Sequence, residues 1–175
     1  NSSVPQTVTY TVTPTEDVPN ADCSGAPFQV EVTVNPTPVI PTQTYEICSG
    51  ETFVISPTNS IPNTIIPSGT TYQWTVESNP SVTGQSNEST DQTQISQRLF
   101  NMTNAVQIVT YNVTPTSGAP VNCVGATFQV EVTVNPFSDI DDVIVPAICS
   151  GTDFQVIPVN GGGSNGDDIV PSDMT

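Results

Sequence analysis

The chain has no histidine and no lysine, and Arg98 is its only arginine. That absence removes whole classes of chemistry. Nucleic-acid binding neutralises several phosphates with Lys or Arg, which one guanidinium cannot do. Attraction to an anionic membrane surface fails for the same reason. A Ser or Cys nucleophile has no imidazole or amine beside it to serve as base. The four cysteines form no Cys-x-x-Cys pair, and no histidine exists to complete a zinc site. The run Gly161-Gly162-Gly163-Ser164-Asn165-Gly166 lacks a following lysine, so it reads as a loop tip rather than a phosphate loop. No hydrophobic run reaches membrane-spanning length. Against the one arginine stand 17 acidic residues, a net charge of −16, which predicts soluble and mutually repelling copies. The same scarcity leaves trypsin-like proteases a single site, after Arg98.

What is present is an internal repeat, which decides what a domain is here. Phe28-Gln29-Val30-Glu31-Val32-Thr33-Val34-Asn35-Pro36 recurs unchanged from Phe128 to Pro136. Val8-Thr9-Tyr10-Thr11-Val12-Thr13-Pro14-Thr15 returns as Val109-Thr110-Tyr111-Asn112-Val113-Thr114-Pro115-Thr116, and Ile47-Cys48-Ser49-Gly50 as Ile148-Cys149-Ser150-Gly151. A period of about 100 residues is too long for a solenoid turn and is the size of one β-sandwich. The expected division is the C-terminal part of one repeat in residues 1–37, a complete repeat in 38–136, and the N-terminal part of another in 137–175.

Alternation of apolar and polar residues predicts strands almost throughout. Phe28, Val30, Val32 and Val34 share one face, with Gln29, Glu31 and Thr33 on the other. Val109, Tyr111 and Val113 alternate in the same way, as do Tyr72, Trp74 and Val76. Turn signals such as Asn35-Pro36, Ser49-Gly50 and Asn79-Pro80 separate the runs. The complete unit then reads as seven strands, at residues 39–47, 52–57, 71–76, 81–83, 94–100, 107–115 and 127–134. The fold class is all-β, a tandem array of immunoglobulin-like sandwiches. Trp74 is expected in the core, and Tyr10 and Tyr111 in the core or at a tyrosine corner. Prolines in Asn35-Pro36-Thr37-Pro38 and at Pro136 predict stiff joins, hence a rod.

The succession Ile47-Cys48-Ser49-Gly50, Thr71-Tyr72-Gln73-Trp74-Thr75-Val76, Val109-Thr110-Tyr111-Asn112-Val113-Thr114-Pro115, Cys123-Val124-Gly125 and Val132-Thr133-Val134-Asn135-Pro136 resembles the PKD-like repeats of very large Bacteroidota surface proteins. Among these are the SprB-type adhesins of gliding bacteria, exported by the type IX secretion route. The resemblance implies an extracellular stalk or adhesin at the cell surface, serving adhesion or gliding motility, with no catalytic residues. Its implied partners are neighbouring repeats, surface polysaccharide and other cell-surface proteins. Two other readings of the chain are a carbohydrate-binding module and an accessory domain of a secreted enzyme. An exposed aromatic platform would favour the former, and few aromatics remain outside the expected core.

Three acids within four residues, Asp139, Asp141 and Asp142, form the densest acidic cluster, with Asp153, Asp167, Asp168 and Asp173 further on. The cluster does not recur with the repeat. A solvated surface and a calcium site at a domain junction are both readings of it, since carboxylates supply hard oxygen ligands. No other cofactor is implied. Asn1-Ser2-Ser3, Asn87-Glu88-Ser89, Asn101-Met102-Thr103 and Asn112-Val113-Thr114 match the glycosylation pattern, a match that arises by chance in a Thr- and Asn-rich chain. Cys23 matches Cys123 and Cys48 matches Cys149, which suggests disulfides in an oxidising location. Cys48–Cys123 spans opposite ends of a sandwich, farther apart than a disulfide allows. Staples across the junctions between repeats are one alternative; Cys23–Cys48 and Cys123–Cys149, which require a linker to fold back, are another.

Overall fold

A computed structural model describes residues 2–18, 21–163 and 166–171, with the backbone alone for 16–18 and 21–23. Every regular element among them is a β-strand, and no helix is long and apolar enough to cross a membrane. The chain forms two compact units, Asn1–Ile40 with Thr58–Thr71 and Pro115–Ala126, and Pro41–Pro57 with Tyr72–Thr114 and Thr127–Thr175.

In the first unit, β1 (Gln6–Val12) pairs antiparallel with β4 (Phe28–Val34). The short hairpin of β2 (Thr15–Val18) and β3 (Ala21–Ser24) joins them. The register sets Val8 opposite Val32, Tyr10 opposite Val30 and Val12 opposite Phe28, so the alternating apolar residues meet across the ribbon. Every residue of β1 and β4 is exposed. Elsewhere in this unit Val39 and Ile65 exchange both backbone hydrogen bonds, at 2.9 and 2.8 Å. The Asn59 side-chain oxygen accepts from Ile66 N–H at 2.9 Å and holds the turn that follows.

The second unit carries the sandwich. One sheet runs in the order β5 (Gln43–Cys48), β13 (Phe128–Asn135), β12 (Gln107–Thr116), β7 (Thr71–Val76), β9 (Glu88–Gln92). Across the core lie β6 (Thr52–Ile55) paired with β10 (Ile95–Arg98), and β8 (Val82–Thr83) paired with β11 (Phe100–Asn101). β5 pairs parallel with β13, whereas β6–β10, β8–β11, β12–β13 and β7–β9 pair antiparallel. The inward positions are those expected from the alternation. Val109, Tyr111, Val113, Phe128, Val130, Val132 and Val134 meet Ile47, Phe53, Ile55, Ile95 and Leu99, and all are buried. The Phe53 ring lies 5.4 Å from that of Tyr111 and ties the two layers together. Trp74 is buried as expected, its indole N–H donating to Ser86 O at 3.1 Å. Each such large apolar side chain contributes about 1.5–3 kcal/mol by leaving water.

Several boundaries differ from the sequence reading, each for a local reason. Nine strands, not seven, lie between residues 43 and 135. The first starts at Gln43, because Pro41 lacks the N–H that a ladder needs and Val39 pairs with Ile65 instead. The expected strand at 94–100 is broken at Leu99. Its N–H donates to Glu51 O at 3.2 Å and its carbonyl accepts from Gly50 N–H at 2.7 Å, which diverts the chain onto the Ser49–Gly50 turn. β9 has no apolar alternation to reveal it, being an edge strand with an exposed face. Glu88 in it accepts from Thr90 N–H and Oγ1 at 2.9 and 2.6 Å, which holds its carboxyl below the usual range.

The tyrosines divide. Tyr111 is fully buried and donates to Gln97 Oε1 at 2.9 Å, a cross-sheet bond in place of the backbone bond of a tyrosine corner. Burial pushes its hydroxyl well above the ordinary tyrosine range. Tyr10 is 55% exposed, contrary to the expected core position, because its ribbon has no second sheet.

Identical sequence with unequal burial makes a direct prediction. Phe128→Ala should cost about 3–5 kcal/mol, the cost of emptying a core site. Phe28→Ala, at a side chain 52% exposed, should change stability by less than about 0.5 kcal/mol. Denaturant unfolding followed by the fluorescence of Trp74 measures both; equal losses would contradict the burial difference.

Candidate functional site

The loop that follows residue 138 draws acidic side chains together. Asp139 and Ile169 exchange backbone hydrogen bonds at 3.0 and 2.7 Å, the same bridge that Val39 and Ile65 form one repeat earlier. Asn160 Oδ1 accepts from Val170 N–H at 3.3 Å, as Asn59 does from Ile66. Between these pins, Gly161 N–H donates to Asp168 O at 2.8 Å, and Asp141 N–H donates to Asp168 Oδ1 at 2.8 Å. Asp168 is thereby buried. One carboxylate oxygen each from Asp141, Asp167 and Asp168 lies within 4.8 Å of the others.

Of the three acids singled out from sequence, Asp141 is in this group; Asp139 and Asp142 are not. Asp139 contributes its backbone to the bridge. Asp173 lies outside the described residues. Asp167 and Asp168 were visible as acids but not as neighbours of Asp141. The signal that pairs them is the repeat itself, because aligning Ile65 with Ile169 brings residue 168 back beside the 139–141 segment. Hard carboxylate oxygens are the ligand type calcium takes, and among the described residues Asp141, Asp167 and Asp168 form the group that could hold such an ion.

A second feature is a shallow groove of about 470 Å³ in the second unit, lined by Gln73, Thr75, Asn87, Glu88, Asn112 and Thr114 among others. Three of its polar side chains are engaged with neighbouring side chains or with backbone. Gln73 donates to Asp91 at 3.0 Å, Asn112 to Glu77 at 3.2 Å, and Asn87 accepts from Val76 N–H at 2.8 Å. Trp74 reaches the groove from a buried position and offers no exposed ring face for a sugar to stack on. Arg98, the lone cation, donates from Nε to Gly50 O at 2.6 Å and sits 4.9 Å over the Phe100 ring. The peptide bond after it leads into fully buried Leu99, so the one trypsin site lies in a strand pair rather than a loop.

Cys48, Cys123 and Cys149 carry free thiols, and the side chain of Cys23 lies outside the described residues. Cys48 sits opposite Asn135, at the end of β13 farthest from Phe128. Of the glycosylation matches, Asn101 is buried, donating to Ala105 O and Val134 O at 2.7 and 2.9 Å, and is closed to modification. Asn1 is not described.

A family profile for the PKD-like domain matches residues 1–38 and 45–138. No curated protein matches the chain.

The acidic loop depends on a glycine. Gly163 has φ of +76°, and a Cβ there would lie 2.6 Å from Asp168 Oδ1 and 2.8 Å from Asp141 Oδ2. A left-handed alanine costs about 1–2 kcal/mol before any clash. Gly163→Ala should therefore raise thermolysin cleavage within residues 156–170 roughly tenfold, by populating the open loop. An unchanged rate would show that the carboxylates do not hold the loop closed.

Proposed function

Because this chain belongs to the PKD-like domain family, we propose that it is a structural repeat segment of an extracellular bacterial surface adhesin or filament. Residues 38–136 form one whole repeat in this reading, and the segments on either side belong to its neighbours. The role is mechanical: sandwiches in series hold a distal binding region away from the cell, in adhesion or gliding motility of the type served by SprB-like adhesins. Export by the type IX route belongs to the same proposal.

One observation carries it. What recurs between β1–β4 and β12–β13 is a register of apolar side chains, in the same order and pairing, while the three-carboxylate group near Asp139–Ile169 has no counterpart near Val39–Ile65. Repetition that preserves an apolar strand register and not a site favours architecture over recognition. The mutual engagement of Gln73–Asp91 and Asn112–Glu77 and the burial of Trp74 weigh against the carbohydrate-binding reading. With no His or Lys in the chain, the usual nucleophile–base pairs of an enzyme cannot be built.

A glycan-array screen with the intact chain tests this. The stalk reading expects no saturable binding to any glycan up to about 1 mM, the weak end of specific recognition. Saturable binding lost on substitution of Asn112 or Gln73 would replace it with the binding-module reading.

A further inference from the structure

At the first junction the two repeats meet through more than their linker. Gln6 pairs with Val34, so the segment before β1 and the exit after β4 leave the ribbon at the same end. Beyond that exit the chain soon joins the downstream repeat. Pro38 is fully buried, a Cβ on Gly125 would collide with its carbonyl oxygen, and Val39 is bridged to Ile65. Only Asn35, Pro36 and Thr37 then lie between the repeats. Proline fixes φ at Pro36, but the ψ angles stay free, so these residues alone do not set an orientation. Close packing does not set it either. A cavity of about 130 Å³ lies between the two ends, lined by Val4 and Pro36 on one side and by Pro67 and Val121 on the other.

Asn59 spans this gap. Its Oδ1 accepts from Ile66 N–H at 2.9 Å inside its own repeat. That bond fixes which end of the amide is oxygen and aims the NH2 at the upstream repeat, where it donates to Ser3 Oγ at 3.3 Å. The same residues face each other at the second junction. Asn160 Oδ1 accepts from Val170 N–H, and Asn160 lines a groove of about 360 Å³ together with Thr103 and Asn104. Asn104 stands where Ser3 stands one repeat earlier, so an acceptor is present in both places, a hydroxyl in one and an amide carbonyl in the other. We propose that Asn59 and Asn160 are latches between repeats, each donating its side-chain N–H to the loop that precedes β1 or β12 of the repeat upstream. A single exposed bond orders the joint and yields by local opening before a sandwich unfolds. The latch rests on the repeat division of the stalk reading and deepens it: the array keeps its direction and gives way at its joints. Glycan binding would remove the stalk reading without touching the latch, so the two can fail separately.

Residual dipolar couplings of the whole chain in a dilute aligning medium test it. In the parent, the amides of β1 and β4 and those of residues 58–71 should fit one alignment tensor. Asn59→Asp keeps the acceptor for Ile66 N–H and removes the donor, and Ser3→Ala removes the acceptor. Loss of one such bond should shift the ratio of docked to free ribbon roughly two- to tenfold toward free. The ribbon's alignment should therefore fall below that of residues 58–71 in both variants, and by no more in the double variant, since all three lose the same bond. Ser3→Asn, which installs the residue found at position 104, should align as the parent does. Parent ribbon couplings that do not fit the common tensor would overturn the latch. So would an Asn59→Asp chain that aligns as the parent does while Asn59→Ala does not, because Asn59 would then serve only its own loop.

Discussion

Burial of one face of the β12–β13 ribbon is the interaction on which the central sandwich depends. Val109, Tyr111, Val113, Phe128, Val130, Val132 and Val134 fill that face, and Phe53 bridges to it from the other sheet. The consequence reaches each layer of organisation. Tyr111 can be fully buried because Gln97 accepts its hydroxyl. Leu99 leaves the strand pairing of β10 to fill the same core, and that move fixes the Ser49–Gly50 turn. Arg98 is held against Gly50 and Phe100 by the same detour.

The contrast with β1–β4 shows what sequence alone does and does not determine. Local alternation, cross-strand register and even the apolar pairs are the same in both ribbons. Burial is not, since it depends on residues that lie far away in the chain. A sandwich is therefore a property of a whole repeat, and a family of such repeats can conserve packing while its loops vary. The loop at residues 160–169 varies in this way: it keeps the bridge and the asparagine pin of its predecessor and adds a group of three carboxylates.

Much of the fold was legible for the same reason. Long, strictly alternating runs such as 107–115 and 127–134 were placed within a residue or two of β12 and β13. Trp74 was placed in the core because it alternates with Gln73 and Thr75. β9 was not legible, because Glu-Ser-Thr-Asp-Gln at a sheet edge is held by pairing with β7 and by the Glu88–Thr90 bonds rather than by an apolar face. The alternation that puts Tyr111 in the core applies equally to Tyr10, which is exposed because no sheet packs on its ribbon among the described residues. The acidic group was half legible: Asp141 stood out by density, but Asp167 and Asp168 join it through a backbone bridge 30 residues long in sequence, from Asp139 to Ile169.

The central claim is that the four apolar residues of one repeated run are core at Phe128, Val130, Val132 and Val134 and surface at Phe28, Val30, Val32 and Val34 because of what covers them. Native-state hydrogen exchange of the dilute chain at low salt, comparing matched amides of β4 and β13, tests this most directly. The amides of Val130 and Val132 should exchange only through global unfolding, and those of Val30 and Val32 through local opening, at least about a hundredfold faster. Equal protection in the two strands would contradict the account, since pairing within the ribbon would then suffice without a second sheet.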